Sequence, residues 1–114
     1  MFKENICKIT KENGNYRREI ITGKNSQVVV MNLQPKEEIG METHEGDQIL
    51  FVVEGTAGVV INGESSSVGQ NEVVFVPSGL EHNVINSGDS ELKLFTIYAP
   101  PEHRPGIVQE LKEK

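Results

Sequence analysis

Gly40-Met41-Glu42-Thr43-His44-Glu45-Gly46-Asp47-Gln48-Ile49-Leu50-Phe51-Val52-Val53-Glu54-Gly55 is the stretch on which the reading of the fold turns. Its first part is extended and polar, with Glu42 and His44 two apart and therefore on one face of a strand. Gly46-Asp47 can reverse the chain, after which Gln48 opens an apolar strand. Further on, Pro77-Ser78-Gly79-Leu80-Glu81-His82 is a turn feeding another strand, with a histidine near that strand's first position. Glu42, His44, Gln48 and His82 are thus four side chains able to converge on one ion. Glu81, next to His82, is expected to face the other way.

Working outward, short β-branched and apolar runs alternate with Gly, Asn, Asp and Ser. They predict strands at Arg17–Thr22, Gln27–Gln34, Met41–His44, Gln48–Glu54, Gly58–Ile61, Glu72–Val76, His82–Asn86 and Leu92–Tyr98. Asn62-Gly63 is a type I′ hairpin signal, and Ser87-Gly88-Asp89 is a further turn. Ser65-Ser66-Ser67 reads as a solvated loop after the hairpin. Strands at this spacing indicate a sandwich or barrel. A helical pattern is confined to Gly106–Lys114, where Ile107, Val108 and Leu111 sit among charges, and a helix that short is marginal alone. Phe95 and Tyr98 read as core, and His103 reads as an exposed loop residue in a loop that can also cover a pocket rim.

The spacing resembles the cupin superfamily. The family's first motif, Gly-(X)5-His-X-His-(X)3,4-Glu-(X)6-Gly, registers on Gly55 so that its Glu falls on Gln48 and its two histidines on Glu42 and His44. Its leading glycine has no match at the usual distance, although Gly40 lies close. The second motif, Pro-X-Gly-X-X-His-X-X-X-Asn, is matched by Pro77, Gly79, His82 and Asn86. The Gly-Asp that precedes it stands here as Asn71-Glu72, a change the turn tolerates because Asn readily adopts positive φ. The resemblance covers residues 27–101 and implies an all-β fold, a double-stranded β-helix (jelly-roll or cupin barrel), with a short helical or irregular C-terminal tail. Residues 1–114 then form one cupin domain: N-terminal strands or arm over 1–26, the barrel over 27–101, and the tail over 102–114.

A chain of 114 residues suits a single domain with one core. The net charge of −6 and the lack of a basic cluster argue against nucleic-acid binding. Cys7 is the lone cysteine, which fits a reducing compartment. Met1–Ile6 has no apolar secretion core, and the longest apolar run, Ile49–Val53, is too short to span a bilayer. The expectation is a cytoplasmic protein with no membrane partner. Ile49, Phe51 and Val53 alternate with Leu50 and Val52, so both faces of that strand are apolar. The second face must meet another sheet, a terminal segment folded back, or a second subunit. The resemblance to cupins favours the subunit, a homodimer.

Two histidines and one carboxylate, with an amide oxygen from Gln48, make a mixed nitrogen and oxygen donor set suited to a divalent Mn, Fe, Ni, Co or Zn. Taken singly each member has a plainer reading: His44 as a turn residue, Glu42 as a solvated strand residue, Gln48 as a hydrogen-bonding group in the barrel mouth. Joint occurrence in register is what points to a metal. No nucleophilic triad, phosphate-cradling loop or free general base stands out. The expected function is a metal-dependent cupin enzyme acting on a small oxygenated metabolite, a sugar derivative or organic acid, by isomerisation, epimerisation, decarboxylation or oxygenation. The alternative is a non-catalytic module that binds a metabolite or a metal.

Overall fold

The computed structural model describes residues 1–112. In chain order it contains helix α1 (Ile6–Glu12) and strands β1 (Arg17–Thr22), β2 (Gln27–Leu33), β3 (Asp47–Glu54), β4 (Ala57–Ile61), β5 (Glu64–Val68), β6 (Val73–Val76), β7 (His82–Asn86), β8 (Leu92–Ala99) and β9 (Val108–Gln109). Two antiparallel sheets face each other, one in the order β6-β3-β8-β2-β1-β9 and the other β5-β4-β7. A further extended stretch runs along the free side of β7: Glu38 bridges Ile85, and Glu42 bridges His82. This is the jelly-roll arrangement that the resemblance to cupins implies.

The alternation within each strand decides what the barrel encloses. Across β3, β8 and β2 the register places Gln48, Tyr98 and Gln27 in one row. The next inward row is Leu50, Thr96 and Val29, and the one below it is Val52, Leu94 and Met31. From the opposite sheet Ala57, Val59 and Val84 close the core. The interior is therefore apolar at depth and polar at one mouth, where Gln48 and Gln27 are each 1% exposed.

Turn chemistry fixes the registers. Asn62 and Gly63 both have positive φ, 49° and 82°, as a type I′ turn requires, and both are exposed. Asn71 takes φ 69°, so the Asn that replaces the usual glycine holds the turn's conformation. Asn86, the last residue of the second motif, anchors the following turn: its Nδ2 donates to the carbonyls of Leu33 and Ser90, and its Oδ1 accepts from the Gly88 N–H.

Five expectations are corrected. Residues 41–44 do not form a continuous strand, because Gly40 at φ 107° breaks the extended run and leaves the bridge at Glu42. Ser65–Ser67 is not a loop but the middle of edge strand β5; the tight hairpin forces Ser65 opposite Val60 and Ser67 opposite Gly58, while the hydroxyls stay in solvent. The tail is not helical over 106–112: Val108 and Gln109 pair with Arg18 and Arg17, since the free edge of β1 offers backbone partners that a short helix lacks. Residues 113–114 of that expected helix lie outside the described residues. The N-terminal arm contains α1, capped by Asn5, whose Oδ1 accepts from the Lys8 N–H at 3.0 Å. Finally, Phe95 is not core; it lies half-buried on the outer face, stacked on Phe51 with ring centroids 5.0 Å apart.

That outer face accounts for the two-sided apolar strand. Register aligns Phe75, Ile49, Ile97 and Val28 in one row and Val73, Phe51, Phe95 and Val30 in the next. At one end α1 folds back over it, where the Asn13 carbonyl accepts from Asn32 Nδ2 at 3.1 Å and Lys93 Nζ at 2.8 Å. Val30 is covered there, whereas Val73 and Phe75 remain more than half exposed, at 60% and 53%.

Candidate metal centre

His82 opens β7, and Glu42 lies directly across from it: each backbone N–H donates to the other's carbonyl at 2.9 Å. Directly opposed residues share a face, so two side chains forty positions apart in sequence become neighbours. Glu42 Oε1 stands 3.8 Å from His82 Nε2 and 3.2 Å from His44 Nε2. The two imidazole rings are 5.0 Å apart. One ligand atom from each of Glu42, His44 and His82 falls within 4.8 Å of the others.

Two turns hold this geometry. The Gly79 N–H donates to the His44 carbonyl at 2.9 Å, and the Ser78 N–H to Asp47 Oδ1 at 3.1 Å, while the Ser78 hydroxyl bonds the Glu45 carbonyl. Gly79 sits at φ 82°, a conformation that favours glycine. Gly46 is required for a different reason: a Cβ there would lie 2.8 Å from the Ala99 carbonyl carbon.

The distal nitrogen of each histidine has an acceptor. His82 Nδ1 lies 3.0 Å from the Leu80 carbonyl, and His44 Nδ1 lies 2.7 Å from Glu102 Oε1. His82 Nε2 is buried without a hydrogen-bond partner. Gln48 Oε1 is likewise buried and unpaired, although its Nε2 donates to Thr96 Oγ1 at 3.0 Å. Unpaired buried acceptors cost on the order of 1–3 kcal/mol each. The His82 nitrogen, beside the Glu42 carboxylate and the His44 imidazole, is what a site for a divalent ion needs, and this three-residue donor set fits one.

Of the four residues read from the sequence, Glu42, His44 and His82 come together, Gln48 is buried in the polar row of the larger sheet, and Glu81 is exposed. Sequence reading missed Glu102 and three further contributors. Tyr98 stacks edge-on against His44 at 5.6 Å, and burial pushes its phenol well up, so it stays a neutral donor. His103 is not an exposed loop residue: it stacks edge-on against the other side of Tyr98 at 5.2 Å. Burial, reinforced by the Arg17 guanidinium, pushes its imidazole down to about 4. Gln27 donates to the His103 carbonyl at 2.6 Å and accepts from the N–H groups of Glu102 and His103. Beside His44 a cavity of about 230 Å³ opens between the Thr43–Asp47 turn and the Pro100–Glu102 segment. No helix among the described residues is long and apolar enough to cross a membrane.

The Cupin domain family (Cupin_2) matches residues 29–98, and the chain belongs to that family. YrkC of Bacillus subtilis is 42% identical over 97% of this chain, which spans 63% of YrkC's length. The crystal structure of BH2720 from Bacillus halodurans superimposes with a TM-score of 0.94 at 40% identity, covering 96% of this chain and 88% of that one. The oxalate-binding protein of Thermotoga maritima is 28% identical over 59% of this chain and 56% of its own.

Proposed function

We propose that Glu42, His44, Gln48 and His82 hold a divalent metal ion, one of Mn, Fe, Ni, Co or Zn, and that the adjoining cavity takes a small oxygenated metabolite. The observation that carries this reading is the buried, unpaired Nε2 of His82, facing a carboxylate and a second imidazole. The bound ion would supply Lewis-acid activation of a ligand oxygen. The chain's own groups bind and orient: Tyr98 offers a neutral phenol from the cavity wall, and the 43–47 turn and 100–102 segment restrict water. A cavity of about 230 Å³ falls below the usual range of roughly 300–1,000 Å³ for drug-sized ligands. That favours an organic acid or sugar fragment over a nucleotide-linked substrate, in keeping with the oxalate-binding name of one relative. Such an enzyme would be an isomerase, epimerase, decarboxylase or dioxygenase. The test is elemental analysis of untagged protein purified without added metal, followed by calorimetric titration with each of the five ions. Substoichiometric metal together with no heat on titration would overturn the reading.

One observation favours a non-catalytic binding module instead. Three of the acid–base groups at the cavity are committed, since Glu102 is held by His44, Asp47 accepts from the Ser78 N–H and burial keeps Tyr98 protonated, which leaves the exposed Glu45 carboxylate. Turnover of oxygen or of a candidate acid by the metal-loaded protein decides between the two readings.

We also infer a homodimer formed through the outer face of the larger sheet. Val73, Phe75, Ile49, Phe51, Phe95 and Ile97 form an uncharged field on a chain of net charge −6. Two copies of an acidic protein meet with least repulsion across such a field. The intracellular setting inferred from the lone Cys7 goes with this reading.

A further inference from the structure

Glu102 lies beyond the residues that match the family, yet its carboxylate stands 2.7 Å from His44 Nδ1. A neutral imidazole has one N–H and one lone pair, and a metal requires the lone pair. For His44 to offer Nε2 beside Glu42, its proton must sit on Nδ1 with an acceptor in front of it. Glu102 is that acceptor. His82 meets the same requirement through the Leu80 carbonyl, which its turn holds rigidly. A glutamate on a proline-rich loop has no such support of its own, and the support comes from Gln27. Oε1 of this buried amide accepts the N–H groups of Glu102 at 3.2 Å and His103 at 2.9 Å. Its Nε2 donates to the His103 carbonyl at 2.6 Å and to Thr22 Oγ1 at 2.9 Å. Both donors and both acceptor positions of the amide are in use, so it fixes the loop in one place.

We propose that Glu102 and Gln27 are positioning residues of the metal centre: Glu102 sets the tautomer and orientation of His44, and Gln27 holds Glu102 in register. The proposal rests on the metal reading given above. Outer-shell partners of this kind typically contribute 10–100-fold to metal affinity.

Cobalt(II) is the probe, since its visible absorption bands report the coordinating atoms independently of any activity. Glu102→Ala is expected to weaken Co²⁺ binding about 10–100-fold while leaving the bands of the saturated protein in place. Glu102→Gln keeps a carbonyl oxygen for the Nδ1–H and should lose less. Gln27→Leu should lose as much as Glu102→Ala, and the double variant no more than either, because one acts through the other. In metal-free protein in alkaline buffer, ¹⁵N NMR should report His44 as the Nδ1–H tautomer in wild type and as a mixture in Glu102→Ala. Wild-type Co²⁺ affinity in Glu102→Ala, a shift of its bands, or an unchanged tautomer overturns the positioning role. A wild type that leaves Co²⁺ unbound while His44 keeps the Nδ1–H form overturns the metal reading, and with it the role towards a metal. Should Gln27→Leu fail to fold, the two Glu102 variants decide the matter alone.

Discussion

His82 has the most constrained surroundings of any residue at the site. Its Nδ1 is bonded, its backbone is bridged to Glu42, and its Nε2 is buried and free. His82→Ala and His44→Ala should each abolish tight divalent binding in calorimetry, because nothing adjacent replaces the lost nitrogen. Glu42→Gln should weaken binding strongly by removing the negative charge, and Gln48→Ala should cost least, since water can stand in for a neutral oxygen. Gln48→Glu should tighten it. His103 supports a separate expectation. Its folded value of about 4 lies below the roughly 6.5 of an unfolded chain, so the unfolded state takes up the proton first. Its contribution to stability is therefore whole above about pH 6.5 and declines as pH falls towards 4. Denaturant midpoints measured across that window should drop less for His103→Asn than for wild type. His82 was legible because Pro77 and Gly79 mark the turn before it. Gln27 carried a signal too, as the polar first member of the inward series Gln27, Val29, Met31 and Leu33. Glu102 carried none, since a proline-rich loop has no period to read.

Among the elements, strands with a buried face were read to within a residue or two, because burial imposes a period of two. The errors fell where burial does not act. β5 presents its serines to solvent and buries Val68 alone, so its side chains carry no period of two. The tail took its conformation from the edge of β1, and α1 announced itself only through the Asn5 cap. The outer face of β3 was legible as an excess, without what covers it. α1 takes one end, and the remainder is the proposed dimer contact. Phe75→Asp, or Val73→Asp with Phe75→Asp, should convert a dimer to monomer in sedimentation velocity with circular dichroism unchanged. A wild type that sediments as a monomer at micromolar concentration would remove the dimer.

For the whole molecule, strand spacing and turn signals indicated a sandwich or barrel, and the two motifs that resemble the cupins named the architecture. They did not reveal which strands share a sheet, because pairing between distant segments leaves no local trace. The same distance shapes the energetics. An ion bound by two well-separated segments stabilises the folded chain alone. At one hundred times its dissociation constant it adds about 2.7 kcal/mol, or roughly 10 °C in Tm for a domain of this size. Scanning calorimetry with and without the preferred ion should show that rise, and Glu42→Gln should remove most of it.

β8 lies between β3 and β2 and joins the two halves of the larger sheet. On a ribosome its residues emerge after every other strand among the described residues except β9. Until Ala99 has left the tunnel, the nascent chain holds β2 and β3 with open edges and apolar side chains on both faces. A transcript cut short before Leu92 would therefore yield a sticky fragment for chaperones and proteases rather than a smaller barrel.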